Sequence, residues 1–222
     1  MGNQQITKVD FAILSAMPNE IAYINHIMTG GETIKTKVGD FRICHYGDKK
    51  ILISPIGMGT TCASAMSSFI ISAFAPDYIF FSGTAGGIDS RLKVGDVVIA
   101  TSAFEAEIQG AFTILRGTDF ETALTHPVKK EPLQQSYQMD PSLTSMAADL
   151  KIIDLLPPNV KIYEGAIVTT NTFPSPPSLF AQVRAQKPLA IDMETSAIYQ
   201  TAWMFGTKAM VIRGISNILN EF

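Results

Sequence analysis

The sequence predicts an α/β fold of three layers, α/β/α, in which helices flank a central twisted, mixed but mostly parallel sheet. Three observations carry that expectation. Apolar runs of strand length alternate along the chain with segments of helical spacing. Several of the runs, such as YIFFS (78–82) and AMVIRGI (209–215), are largely apolar on both faces, as in strands covered by helices from either side. The 222 residues hold no internal repeat, linker or low-complexity tract, so residues 1–222 are expected to form a single domain.

The elements follow in order. DFAILSA (10–16) reads as a buried strand that turns at Met17-Pro18-Asn19-Glu20. A helix comes next, with Pro18 near its first turn and Ile21, Tyr23, Ile24 and Ile27 on an apolar face. FRICHYG (41–47) and KILISPI (50–56) flank the polar Asp48-Lys49 as a β-hairpin. Gly57-Met58-Gly59 opens a helix over 60–74, rich in Ala, Ser and Met. The strand at 78–82 runs into a glycine-rich loop, Gly83-Thr84-Ala85-Gly86-Gly87, and another strand covers 96–101. Residues 103–140 show little periodicity and read as a functional excursion or an oligomer contact. Asp140 caps a helix over 141–156. A strand at 161–169 ends at Thr170-Asn171-Thr172-Phe173, and a Pro/Ser-rich turn follows. Helices at 178–186 and 194–204 then bracket a strand at 189–192. The last strand, 209–215, empties into Ser216-Asn217.

Composition narrows the partners. With 46% hydrophobic and 17% charged residues the chain can bury a sizeable core. A net charge of -3 and a pI near 5.6 leave no excess of Lys and Arg to neutralise phosphates. A small-molecule ligand is therefore expected, and no nucleic acid. The start, MGNQQITKVD, has no apolar signal region, and the apolar runs are shorter than a membrane span. A cytoplasmic protein with no membrane partner is the expectation. Cys44 and Cys62 form no CxxC and read as reduced thiols, not as a disulfide, a metal site or a nucleophile. No metal and no cofactor are expected.

Four strand ends stand out as candidate chemistry: SAMPNE (15–20), SGTAGG (82–87), IDMETSA (191–197) and RGISN (213–217). Singly each is weak. GTAGG has neither the GxGxxG spacing of a dinucleotide site nor the GK[ST] of a P-loop, and serves equally as a turn. Glu20 and Glu194 can each be a plain acidic residue at a helix start.

In this order, together with KVGDVV and VIRGIS, the motifs resemble the nucleoside phosphorylase and nucleosidase superfamily, and within it the 5'-methylthioadenosine/S-adenosylhomocysteine nucleosidases. The resemblance runs from about residue 10 to the end and is weakest in the middle excursion. It implies a nucleoside phosphorylase-like fold, a homodimer whose neighbouring subunit closes the 5'-pocket, and an enzyme that hydrolyses the N-glycosidic bond of a purine nucleoside. It implies that Met193 lies along the ribose and that Glu194 accepts hydrogen bonds from the 2'- and 3'-hydroxyls. Glu20 would position and deprotonate the attacking water, and Arg213 would hold Glu194 or that water. Phe173 would stack on the base near Thr84, in the loop with Ala85 and Gly86, while Met17 and Ile56 would line the 5'-pocket. The apolar stretch before the glycine loop, Ile79-Phe80-Phe81-Ser82, and Glu20 in the first loop replace the arginines that clamp phosphate in phosphorylases of this kind. Water is thus the expected nucleophile, with phosphorolysis as the alternative.

Asn217 departs from the family pattern, which has an aspartate there as the acid that protonates N7 of the leaving purine. An amide donates and accepts hydrogen bonds but has no proton to transfer. Four readings stand: an adenine-type nucleosidase with that acid replaced, including a replacement that traps substrate; a hydrolase of a 6-oxopurine nucleoside such as inosine or futalosine; a nucleoside-binding protein impaired in catalysis; or an asparagine that only caps the next segment. The resemblance also implies a helix after this loop that helps to close the pocket; the sequence runs to Phe222.

Overall fold

The computed structural model describes residues 7–28, 30–108, 125–126, 128–152, 156–173, 175–176, 178–179, 183 and 186–219. The first strand, β1 (Phe11–Ser15), lies between β4 (Lys49–Pro55) and β5 (Tyr78–Gly87), parallel to both. Beyond β4 the sheet continues through β3 (Gly39–Tyr46) to β2 (Glu32–Thr36), an antiparallel meander. The hairpin β3–β4 is as expected. β2 was not foreseen: Glu-Thr-Ile-Lys-Thr has one aliphatic residue, and as an outer strand it needs no more.

On the other side β5 belongs to a ring. It pairs in parallel with β10 (Lys208–Ile218), β10 antiparallel with β6 (Val97–Glu105), and β6 in parallel with β8 (Ile162–Thr169). β8 pairs in parallel with β9 (Ala190–Asp192), and β9 returns antiparallel to Gly86 and Gly87 of β5. A short strand, β7 (Tyr137–Gln138), pairs with β6.

The mixed α/β class is as expected, but "mostly parallel" needs correction. Five of the ten strand pairings among the described residues are antiparallel. The cause is topological: the ring joins two parallel groups, β5–β10 and β6–β8–β9, that run in opposite directions, so it closes only through two antiparallel seams. These five strands form a closed barrel.

Two strands run further into the site than anticipated. Residues 83–87 are the second half of β5 rather than a loop, because β10 and β9 supply ladder partners on its two edges. β10 likewise continues through Ser216 and Asn217 to Ile218. A register shift between Ile215 and Asn217 makes Ser216 a bulge residue.

The helices cover the sheet. Pro18–Ile21 is a 3-10 turn leading into α1 (Ala22–Ile27). α2 (Gly59–Phe74) buries Ala63, Ser67, Ile70, Ile71 and Phe74, a single helical face. α3 (Thr144–Ile152) follows a 3-10 turn whose Ser142 N–H is accepted by Asp140, the expected cap. α4 (Thr195–Phe205) is buried along most of its length, against α2 and against β6, β8 and β10. The helix expected at 178–186, and residues 109–124 of the middle excursion, lie mostly or wholly outside the described residues. No helix among the described residues is long and apolar enough to cross a membrane.

Leu189, just before β9, packs where Gly165 of β8 has no side chain. A Cβ on Gly165 would stand 2.6 Å from Leu189 Cδ1. Gly165→Ala is expected to cost about 1–3 kcal/mol in urea unfolding through overpacking. Leu189→Ala in the same chain should then cost less than the sum of the two single changes, a coupling that strictly additive values would exclude.

Candidate functional site

Two chain segments deliver three carboxylates to one place. Asp192 ends β9, Glu194 precedes α4, and Glu20 sits in the 3-10 turn after β1. Behind them stands Arg213 of β10, the largest fully buried side chain among the described residues. Its Nη2 donates to Glu194 Oε2 at 2.9 Å and meets Asp192 Oδ2 at 2.5 Å; its Nε lies 3.4 Å from Thr195 Oγ1. Its guanidinium carbon lies 4.5 Å from the centre of the Phe81 ring, a cation–π contact inside the core.

The close fit explains Gly83. A Cβ there would collide with Arg213 Nη1 and come within 2.9 Å of Glu20 Oε1. Glycine at this point of β5 is therefore a matter of space.

Asp192 is consumed by the protein. It accepts from Thr169 Oγ1 at 2.8 Å, from the N–H groups of Glu194 and Thr195, and from Thr195 Oγ1. Glu194 is less encumbered. Oε1 accepts from the Gly59 N–H at 2.9 Å and Oε2 from Arg213, so each oxygen keeps one lone pair. Burial holds the Glu194 carboxyl above the usual glutamate range; the Asp192 charge adds to this, while Arg213 and the Gly59 N–H oppose it. Glu20 Oε1 accepts from Thr84 N at 2.9 Å and from Thr84 Oγ1 at 3.1 Å, and Oε2 from Met17 N at 2.9 Å.

These groups border a cavity of about 480 Å³. The expected Met17, Glu20, Thr84, Ala85, Gly86, Phe173, Met193, Glu194 and Asn217 all line it. Arg213 does not; it reaches the site through Glu194 and Asp192. Ile56 is also absent from the lining. It is a core residue, 4% exposed, whose N–H donates to Ser15 O. Gly57, at φ +88°, turns the chain so that Met58 faces the cavity in its place. Phe173 stands at the mouth, 84% exposed.

Asn217 comes in through the bulge at Ser216, opposite Gly86. Ser216 Oγ donates to its Oδ1 at 2.9 Å, which leaves the amide NH₂ as the end free to donate to a ligand. The sequence reading gave no role to Asp192, Gly59, Gly83 or Asn171. Asp192 and Gly83 carried a signal, their places inside IDMETSA and SGTAGG; Gly59 acts through a backbone N–H and Asn171 through a long-range bond.

The lining among the described residues contains three carboxylates, one primary amide, and no Lys, Arg or His. No cluster of His, Cys, Asp and Glu suited to a metal occurs among them. Such a cavity repels anions and favours a ligand that gains positive charge.

Comparison with known proteins agrees with this geometry. The sequence model of the phosphorylase superfamily matches residues 10–222. The 5'-methylthioadenosine/S-adenosylhomocysteine nucleosidase of Bacillus pumilus is 26% identical over 214 residues, which cover 95% of this chain and 86% of the relative. The solved nucleosidase of Colwellia psychrerythraea in complex with adenine superposes with a TM-score of 0.77 at 27% identity, covering 96% of this chain and 84% of that one. That of Neisseria meningitidis with methylthio-immucillin-A gives 0.74 at 26% identity, covering 93% and 85%.

A buried carboxylate with a raised pKa costs stability when ionised. The folded state then holds the Glu194 proton more tightly than the unfolded state, whose value is near 4.5. The cost is fully present above the folded value and vanishes below the unfolded one. The melting temperature of Glu194→Gln relative to the parent is therefore expected to rise as the pH goes from ~4 to ~8. A difference that is flat or falls over that range would contradict that account.

Proposed function

The chain belongs to the phosphorylase superfamily, and from that footing we propose that it is a nucleosidase, which cleaves the N-glycosidic bond of a purine nucleoside of the 5'-methylthioadenosine/S-adenosylhomocysteine type with water. The observation that carries the reading is a cavity walled by Glu20, Asp192 and Glu194 without a described cation. Phosphate would meet like charge there, whereas water would not.

Each residue then has a task. Glu194, with one free lone pair on each oxygen, accepts from two vicinal hydroxyls. As the glycosidic bond breaks, positive charge grows on the ribose, and the same carboxylate stabilises it. Glu20, held by three donors, orients the attacking water and takes its proton. Met193 packs along the ribose, Phe173 covers the base beside Thr84, Ala85 and Gly86, and Met17 and Met58 border the 5'-substituent. Asn217 donates to the leaving base without protonating it, which forgoes the ~10² to 10⁴ in rate that a placed acid supplies.

The proposal takes residues 1–222 as one domain of the nucleoside phosphorylase-like α/β/α kind, acting as a cytoplasmic homodimer. The exposed Met58 and Phe173 at the cavity mouth are apolar surface that a neighbouring subunit would cover. A second reading rests on Asn217 itself: an amide donor suits a 6-oxopurine, whose carbonyl oxygen accepts.

The test is base release from 5'-methylthioadenosine, inosine and futalosine, with and without phosphate. Release that needs no phosphate is expected; release only with phosphate would make the protein a phosphorylase, and binding without release a nucleoside receptor. Asn217→Asp should raise cleavage of 5'-methylthioadenosine by about 10² or more. If Asn217 reads a 6-oxo group, the same change should instead impair the inosine- or futalosine-type substrate, because two acceptors would meet. No effect on any substrate would remove Asn217 from the base contact. Glu194→Gln should lower turnover far more than substrate affinity, since the charge it faces is developed only in the transition state. Unchanged turnover would exclude Glu194 from the mechanism.

A further inference from the structure

The first turn of α2 is capped from outside its own chain segment. Met58 occupies the N-cap position, and no side-chain cap bond is made there. The first helical N–H, on Gly59, goes to Glu194 Oε1. The next, on Thr60, goes at 2.9 Å to Asn171 Oδ1, whose amide Nδ2 returns a bond of 2.6 Å to Thr60 Oγ1. Two side chains from two distant loops thus share one helix terminus side by side. Gly59, at φ +88°, is part of the fit: a Cβ on it would stand 3.1 Å from Asn171 Oδ1.

Asn171 also lies in the loop that carries Phe173. The flanking threonines fix that loop from the opposite side. Thr170 Oγ1 donates to Glu107 Oε1 and accepts from Thr172 N at 3.0 Å. Held between Glu107 and α2, the loop aims the Asn171 amide at the helix.

We infer that Asn171 is a positioning residue, which holds the first turn of α2 so that the Gly59 N–H stays aimed at Glu194, and so ties the order of the Phe173 loop to the orientation of the ribose carboxylate. This rests on the nucleosidase reading for its consequence in rate, though not for its consequence in structure. A helix whose terminal N–H groups lose their acceptors frays at that end. Fraying here would withdraw one of the two protein donors to Glu194. The charged groups around Glu194 are Arg213 from β10, Asp192 from β9 and Glu20 in the same cavity wall, and Asn171 adds no charge among them. Loss of the Gly59 bond therefore acts on Glu194 in one direction: its carboxyl, already raised by burial, rises further.

The experiment compares the parent with Asn171→Ala and Asn171→Asp, reading kcat and KM for 5'-methylthioadenosine across pH, and amide hydrogen exchange at Gly59 and Thr60. Asn171→Ala is expected to lower kcat about tenfold with a smaller change in KM, and to move the acid limb of the kcat profile towards neutral pH. Asn171→Asp keeps an acceptor for the Thr60 N–H and should restore kcat at the plateau to within about threefold. Exchange at both Gly59 and Thr60 should quicken about tenfold or more in Asn171→Ala. An unchanged kcat and acid limb would overturn the inference, as would faster exchange at Thr60 alone, which marks a local cap without a link to Glu194. If the parent releases no base from any nucleoside, the nucleosidase reading fails by itself. The exchange at Gly59 then decides the positioning role.

Discussion

Arg213 is the interaction on which the rest depends. A guanidinium with no exposed surface would be prohibitively costly alone. It is tolerated because β9 and the start of α4 bring Asp192 and Glu194 onto the same nitrogen, because Phe81 offers a ring face, and because Gly83 leaves room. Phe81 and Gly83 come from β5, and Asp192 and Glu194 from the end of β9 and the start of α4. The charge is balanced only when β5, β9 and β10 stand together, as the ring arrangement requires. The barrel and the charge cluster therefore specify one another.

The same arrangement prepares the cavity electrostatically. Arg213 is turned away from the lining and spends its charge on the back of the carboxylates. Their front is left negative and partly unsatisfied, with one lone pair free on each Glu194 oxygen. On the proposed reading this is a site whose energy falls when positive charge appears on a ribose. Binding gains little from it and bond cleavage gains much. Asn217 is the counterweight on the same reading: to a leaving group it would offer a hydrogen bond but no transferable proton.

Much of this was legible in the residues. The resemblance carried by SAMPNE, IDMETSA and RGISN pointed to Glu20, Glu194 and Asn217, which line one cavity, and to Arg213 behind them, and strand–helix alternation gave the class. The failures have specific causes. SGTAGG looks like a loop because glycines usually mark one, but here they admit Arg213, Glu20 and Asn217 beside a paired strand. ISN looks like an exit because pairing beyond Ile215 is set by β5, far away in sequence. Met58 goes unnoticed beside Ile56 because nothing local shows that Gly57 takes φ +88° and turns the next side chain towards the cavity. Asn171 reads as one more polar loop residue until its partner, more than a hundred positions earlier, is known.

The central claim is that water, positioned against a carboxylate-lined wall, is the nucleophile. It is tested most directly by running 5'-methylthioadenosine cleavage in ¹⁸O-labelled water and finding the label by mass spectrometry. The account predicts one ¹⁸O on the ribose product and none on the base, in the presence of phosphate as in its absence. An unlabelled sugar phosphate as the product would contradict it.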